Sequence, residues 1–268
     1  TVMHVIDDTV VRALQLAMKD LSPESEVHDD VLKSATERVE AMVTAAGVSG
    51  DNTTVEVVIG APFVELLRPL HGTPSELFVL GANGSSGLRT EAGTLVTKCV
   101  RASAANTLLV RKMEGDSYKN IVACVDFSEA SEQVITYALR AAEREQAKVH
   151  VLHVFAAPWN VLHYRAPTTK ASPDFRRQYL DSLKGCLQKL MEPFREDLKK
   201  IDVQEHLVES TYPTVEILKF VDTSHADLVV VGACGRTDLK AILMGTTAER
   251  IVRESRCSVL AIKPGDSE

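Results

Sequence analysis

Three segments of this chain recur at a near-constant spacing, and that duplication restricts the fold more than any other feature. "ELFVLGANG" (76–84) matches "DLVVVGACG" (227–235), and "NTLLVRK" (106–112) matches "CSVLAIK" (257–263), both at a spacing of 151. "VMHVID" (2–7) matches "VLHVFA" (151–156) at a spacing of 149. Self-similarity at a fixed period marks copies of one structural unit. The expected domains are therefore 1–113 and 118–268, with the polar, glycine-containing "MEGDSYK" of 113–119 as linker. Two units fit a chain of 268 residues, because ordinary domains run to roughly 100–200.

Within the second copy, strand and helix patterns alternate. "NIVACVDF" is a short apolar run, and "SEQVITYALRAAERE" after it puts Val134, Ile135, Ala138, Leu139 and Ala142 at helical spacing. "AKVHVLHVF" reads as a second strand and "FRRQYLDSLKGCLQKLMEPFREDLKKI" (175–201) as a second helix. "VQEHLVES", "TVEILKFVDTSH", "ADLVVVG", "TTAERIVRES" and "CSVLAIK" continue the alternation. Strands separated by helices in this way specify an α/β fold, a doubly wound parallel sheet covered on both faces. The first copy keeps the same order but starts at the second strand. Its first strand and helix are expected about 30 residues before Thr1 by the repeat period; either they lie upstream, as a start at Thr1 rather than Met suggests, or this copy is degenerate with a smaller sheet.

Composition narrows the function classes. With 45% apolar and 25% charged residues, the chain has the make-up of an ordinary globular protein, which excludes a disordered reading. A net charge of −7 argues against a grip on nucleic-acid phosphates or an anionic membrane surface, both of which need clustered basic charge. Cys99, Cys124, Cys186, Cys234 and Cys257 are odd in number, widely spaced and never in a CxxC pair. They read as reduced thiols, and with no apolar run near the roughly 20 residues of a membrane span the expected location is cytoplasmic.

The chemistry concentrates in "GACGRTDLKAILMGTT" (232–247), a loop between an apolar strand and a helix. Its pattern is Gly232, two residues, Gly235, nine residues, Gly245, Thr246. Glycines let a ligand approach the backbone closely, and a helix start supplies free N–H groups and a positive dipole end for an anion. Ligands of open parallel sheets also sit at the strand carboxyl ends, where this loop lies. Taken singly, each piece has a plainer reading: Gly232 as a tight turn, Thr246 with Glu249 as a capping box, Arg236 as a solvated loop residue. No GxxxxGK[ST] occurs, and no GxGxxG follows the first available strand, so neither a P-loop nor a dinucleotide fingerprint is present.

"VDFSEAS" (125–131), "HVLHV" (150–154) and "VVVGACGRTDLKAILMGTTAERIVRESRCSVLAIKP" (229–264) together resemble the universal stress protein family. The last of them resembles the Gly-x2-Gly-x9-Gly-(Ser/Thr) signature of its ATP-binding branch. The resemblance covers the chain as two tandem copies. It implies the adenine-nucleotide-binding α/β fold in each copy and an ATP site in the second. Asp126 would take the adenine and ribose end, Val154 would touch adenine through its backbone, and Val231, Gly232, Gly235, Gly245, Thr246 and Thr247 would wrap ribose and phosphates. Asp126 alone could equally cap the following helix. Mg²⁺ is the implied companion, held by phosphate oxygens and water, with no protein metal ligands. The first-copy loop reads Gly81, two residues, Gly84, eight residues, Gly93, Thr94, one residue short, and its adenine-side carboxylate would lie in the first strand that the copy lacks. One competent site per chain is therefore expected.

Other constellations carry less. His150 and His153 fall on opposite faces of a strand, which argues against a shared metal. No Ser-His-Asp or Cys-His set can be assembled, so no catalytic residue is named and any ATP hydrolysis is expected to be slow. The connection 156–175, with the only tryptophan, Trp159, is either a lid or a surface excursion. The last strand of each copy is an aliphatic edge, and in the family such edges pair antiparallel. The resemblance thus implies pairing of the two domains within one chain, with a homodimer as a further expectation and a role in regulation or stress tolerance. The competing readings are an interaction or dimerisation module of the same fold that binds no nucleotide, and a nucleotidyl-transferring enzyme, against which the absence of HxGH weighs.

Overall fold

The computed structural model describes residues 1–19, 23–48, 50, 52–70, 76–82, 92–111, 117–158, 173–233 and 244–263. The chain divides after Pro74 into two compact units, Thr1–Pro74 and Ser75–Glu268. The boundary expected between 113 and 118 falls mostly on residues outside the described ones.

The first unit contains β1 (Val2–Asp7), α1 (Asp8–Met18), α2 (Glu24–Ala45), β2 (Val55–Gly60) and α3 (Pro62–Leu67). β1 and β2 form a two-stranded parallel sheet, in register from Val2 opposite Val55 to Asp7 opposite Gly60. Asp7 ends the strand and starts the helix, since its Oδ1 accepts from the Thr9 amide at 2.9 Å and the Thr9 hydroxyl at 2.6 Å. Those two hydrogen bonds favour the ionised form and hold the Asp7 carboxyl below its usual pKa.

The second unit contains β3 (Leu77–Gly81), α4 (Thr94–Ala102), β4 (Asn106–Val110), β5 (Asn120–Cys124), α5 (Ala130–Glu145) and β6 (Lys148–Phe155). It continues through α6 (Pro173–Met191), β7 (Val203–Glu209), α7 (Pro213–Thr223), β8 (Leu228–Gly232), α8 (Thr246–Glu254) and β9 (Ser258–Ile262). Its seven strands lie in the order β3-β4-β9-β8-β5-β6-β7. Every neighbouring pair is parallel except β4 and β9, which run antiparallel with Thr107 opposite Ala261 and Leu109 opposite Val259. The last strands of the two copies are therefore paired. Hydrogen bonds reinforce the junction: Asn106 Nδ2 donates to the Tyr137 hydroxyl at 2.8 Å, and Asn106 Oδ1 accepts from the Lys263 amide at 2.8 Å. Arg101 also meets Glu249 at 2.7 Å.

Alternation along the strands builds a core on each sheet face. Val122, Leu152 and Val229 face Ile217, Ile251 and Val252 of α7 and α8, whereas Ile121, Val149 and Val230 face Ile135 of α5 and Leu187 of α6. Burial on both faces explains why β8 is apolar at every position before its final glycine.

Two expected boundaries move. The helix expected over 175–201 ends at Met191 and gives way to 3₁₀ turns at Glu192–Phe194 and Asp197–Lys199. Pro193 lacks an N–H and disfavours α geometry in the residue before it, which stops the helix. The strand expected over 120–127 ends at Cys124, and Phe127 adopts φ 61°, a left-handed conformation that no strand residue holds.

Candidate functional site

β5 leads to β6 and β7 on one side of the sheet, while β8 and β9 lie on its other side, so the strand order reverses between β5 and β8. Open α/β sheets leave a crevice at the carboxyl end of such a point, because the connections on either side turn away to opposite faces. Here that crevice is a cavity of about 950 Å³ above the ends of β5, β6 and β8.

Asp126 stands at its crest, in the turn between β5 and α5. Its Oδ1 accepts from the Ser128 amide at 3.0 Å, the Ser128 hydroxyl at 2.5 Å and the Ser131 hydroxyl at 3.2 Å. One carboxylate oxygen thus closes the turn ahead of α5 and does not cap the helix, whose N-cap is Glu129 with no side-chain cap hydrogen bond. Oδ2 has no hydrogen bond among the described residues and belongs to a side chain that lines the cavity.

Val154, Val231 and Gly232 contribute the strand ends, and Gly245, Thr246 and Thr247 the start of α8. Seven of the eight residues singled out from the sequence therefore border one cavity. The eighth, Gly235, lies outside the described residues, as do Cys234, Arg236 and Trp159. The loop is closed at its base, where the Gly245 amide donates to the Ala233 carbonyl at 2.8 Å.

The capping box expected of Thr246 and Glu249 does not form. Gly245 is the N-cap of α8, no side chain caps it, and Glu249 instead pairs with Arg101 at 2.7 Å. A glycine N-cap offers no side-chain acceptor, its own amide donates to the Ala233 carbonyl, and Glu249 is held in the cross-copy ion pair. The amides of Thr246 and Thr247 are left without a protein acceptor among the described residues. Gly245 has φ −61°, which any residue can adopt, so backbone freedom does not require glycine there.

The remaining polar groups limit the chemistry. Burial, with the nearby Cys257 as second cause, pushes the Cys124 thiol up to about 12, so it lines the cavity as a neutral group. His153 Nδ1 lies 2.8 Å from the Val125 carbonyl, which can only accept, so that nitrogen carries the proton. Among the described residues no cluster of three or more His, Cys, Asp or Glu could hold a metal, and Asp126 is the only carboxylate on the cavity wall. His150 and His153 do point to opposite faces: His150 pairs with His206 at 3.0 Å, beside Phe220.

The sequence reading missed one wall. Tyr179, Leu183 and Cys186 of α6 line the cavity together with Phe127 and Phe155. The signal was present as the 179, 183, 186 spacing, but that stripe is indistinguishable from an ordinary core-facing helix face.

The family model for the universal stress protein family matches residues 117–263. A universal stress protein of Methanocaldococcus jannaschii is 28% identical over 152 residues, spanning 56% of this chain and 85% of its own. The crystal structure of a universal stress protein from Archaeoglobus fulgidus aligns over 97% of this chain and 86% of its own, with a TM-score of 0.58 and 19% identity, a likeness of fold. Another solved Archaeoglobus fulgidus universal stress protein, in complex with dAMP, covers 55% of this chain and 100% of its own at a TM-score of 0.39 and 21% identity. No helix among the described residues is long and apolar enough to cross a membrane.

Proposed function

The chain belongs to the universal stress protein family, and from that premise we propose that its second copy binds ATP at the carboxyl ends of β5, β6 and β8 in a regulatory or stress-tolerance role. The observation that carries this reading is the meeting, on one cavity, of an uncapped helix start and a carboxylate with one oxygen uncommitted.

Each group has a physical task. The amides of Thr246 and Thr247, at the positive end of α8, receive phosphate oxygens without any cost in protein hydrogen bonds. Gly232 and Gly245 keep side chains out of the path of the ribose and phosphates, the role the family resemblance also gives Gly235. Asp126 accepts a ribose hydroxyl through Oδ2 while Oδ1 keeps its hydrogen bonds from Ser128 and Ser131, so the turn into α5 fixes the carboxylate in place. Val154 offers its backbone at the strand end to the adenine edge. A divalent ion accompanying the triphosphate takes its ligands from phosphate oxygens and water, since a single carboxylate makes no cage.

Binding rather than turnover is the stronger reading. The Cys124 thiol is held protonated, and Asp126 is anchored by three donated hydrogen bonds, so neither is poised to activate a water. Gly81, Gly93 and Thr94 of the first copy lie off this cavity, which favours one site per chain. Calorimetric titration of ATP into nucleotide-stripped protein should give a stoichiometry of one. Absence of binding would sink the nucleotide reading, and a stoichiometry of two would sink the single site.

A further inference from the structure

The two outer strands of the seven-stranded sheet differ in character. β7, at one end, reads VQEHLVE and exposes Gln204, Glu205 and Glu209. Charges of that kind keep an outer strand from pairing with other chains. β3, at the other end, reads LFVLG, with neither charge nor proline to block a further strand. One face of β3 is also uncovered. Leu80 packs with Val96 and Val100 of α4 on one side of the sheet, whereas Leu77 is 46% and Val79 53% exposed on the other. Val110, level with Gly81 on β4, is 36% exposed.

The second copy displays the same ladder positions when they are covered. Along β8 and β9, Leu228 stands opposite Ser258, Val230 opposite Leu260 and Gly232 opposite Ile262. Along β3 and β4 the corresponding rungs are Leu77 with Asn106, Val79 with Leu108 and Gly81 with Val110. Leu228, Val230, Leu260 and Ile262 are all buried, in one core with Ile135 and Ala138 of α5. The edge of β8 away from β9 is taken by β5, with Ile121 opposite Leu228 and Ala123 opposite Val230. One strand–helix segment therefore satisfies both the edge and the face. Its cover ends at β4, where Tyr137 of α5 meets Asn106 and Leu108 is partly buried. Beyond it, β3 has no strand on its outer edge among the described residues.

The size and shape of the bare region decide what can occupy it. Three partly bare side chains fall far below the roughly 1,200–2,000 Å² of a standard interface. Main-chain pairing along the open edge must therefore supply most of the contact, as in strand addition. Pairing of β3 with β3 of a second copy would meet the main-chain groups but leave both apolar faces bare. A strand with an amphipathic helix behind it meets both needs.

We propose that the outer edge of β3 and the bare face of β3 and β4 form a docking surface for a strand–helix segment of the β5–α5 pattern that lies outside residues 1–268. The strand adds parallel to β3, apolar where it meets Leu77 and Val79, and its helix lays an apolar stripe over Leu77, Val79 and Val110. The surface uses none of the residues assigned to the nucleotide, so the two readings stand or fall separately. The test is fluorescence-anisotropy titration of the full chain with a labelled peptide of residues 118–146, which contains β5 and α5, carrying a solubilising lysine tail. Saturable binding of one peptide per chain is expected, with the amides of 77–81 slowed at least ~10-fold in hydrogen exchange and those of 228–232 unchanged. Val79→Lys should weaken the peptide at least ~10-fold, because docking would bury an unpaired charge, and Ile121→Asp within the peptide should do the same. Val215→Lys, at a comparably exposed position on α7, should leave binding as it was, and far-UV circular dichroism should show both chain variants folded. The proposal fails if there is no saturable binding, or if Val79→Lys binds as well as the unsubstituted chain. Protection confined to 228–232 would also overturn it, since the peptide would then be exchanging with β5. A chain that dimerises in sedimentation equilibrium and becomes monomeric with Val79→Lys would give the surface to a second copy instead.

Discussion

β3 and β8 are the same strand written twice, LFVLG and LVVVG, each leading into a glycine loop and a helix that starts at a glycine N-cap. Their surroundings differ completely. β8 lies between β5 and β9 and has α5 against one face, so Leu228 is 2% exposed. β3 is the outermost strand of the same sheet with β4 as its one neighbour, and Leu77, the equivalent of Leu228, is 46% exposed. What distinguishes them is the partner supplied by β5 and α5, which has no first-copy counterpart among the described residues. The two first-copy strand pairs, β1 with β2 and β3 with β4, accordingly fall in different sheets. The comparison teaches that a glycine loop does not make a site by itself. The cavity lies where β5, β6 and β8 end together, whereas β3 has β4 alone beside it in its sheet among the described residues.

The largest effect that could break this comparison is on stability. Leu228→Ala should cost about 2–5 kcal/mol, because a fully packed side chain leaves a cavity. Leu77→Ala should stay within ~0.5 kcal/mol. Urea unfolding followed by far-UV circular dichroism would measure both, and similar losses would mean that β3 is as enclosed as β8. Next in size is the nucleotide effect. Gly245→Leu should weaken ATP at least ~10-fold, about 1.4 kcal/mol, whereas Gly93→Leu, whose added Cβ meets nothing within 4 Å, should leave the titration unchanged. A response to the Gly93 variant would assign binding to the first copy.

Asp126 sharpens the same contrast on a smaller scale. Asp126→Asn keeps an acceptor for the Ser128 and Ser131 hydrogen bonds but removes the second acceptor oxygen, so ATP should weaken about 10-fold with stability nearly kept. Asp126→Ala loses both, adding about 1 kcal/mol of destabilisation from the lost hydrogen bonds. An unchanged ATP affinity in Asp126→Asn would leave the carboxylate with a turn-closing role alone.

The smallest expected effect concerns pH. Desolvation holds His150 below its ordinary pKa, aided by the neighbouring His206 and Lys148 against an opposing Asp202, and desolvation does the same to His206. The native state thus binds fewer protons than the unfolded chain as pH drops through about 6.5. Stability from this pair is present above that value and lost as pH falls through the lowered pKa values. The urea midpoint should be lower at pH 5.5 than at pH 7.5, and His150→Phe with His206→Gln should flatten the difference. The first copy has Thr1 where the second has His150, so a mutation-proof pH dependence would place the sensitive groups elsewhere.

Local patterns made most of the second copy legible. The β-branched runs and the 134, 135, 138, 139, 142 stripe give strand and helix directly, because burial on a period of two or of 3.6 is written residue by residue. What sequence did not reveal depends on distant residues or on competition at a terminus. The antiparallel pairing of β4 with β9 joins residues about 150 apart, which no window contains, and it was expected from the family resemblance alone. Thr246 and Glu249 have capping-box spacing, but Arg101 lies 148 residues from Glu249 and takes its carboxylate first. Pro193 was readable as a helix stop, and the apolar residues around it masked the signal. On the cavity, the glycine side was visible because glycine, threonine and aspartate are unusual at those spacings. The aromatic side was not, because Phe155, Tyr179 and Leu183 look like any core.

The antiparallel seam of β4 with β9 has a consequence in time. Residues 107–109 find their partners only at 259–261, the end of the described chain. At roughly 5–20 residues per second, a ribosome takes on the order of 8–30 s to make the intervening stretch. During that interval β4 and α4 wait on a nascent chain with their apolar sides uncovered, in the company of whatever chaperone attends the tunnel exit.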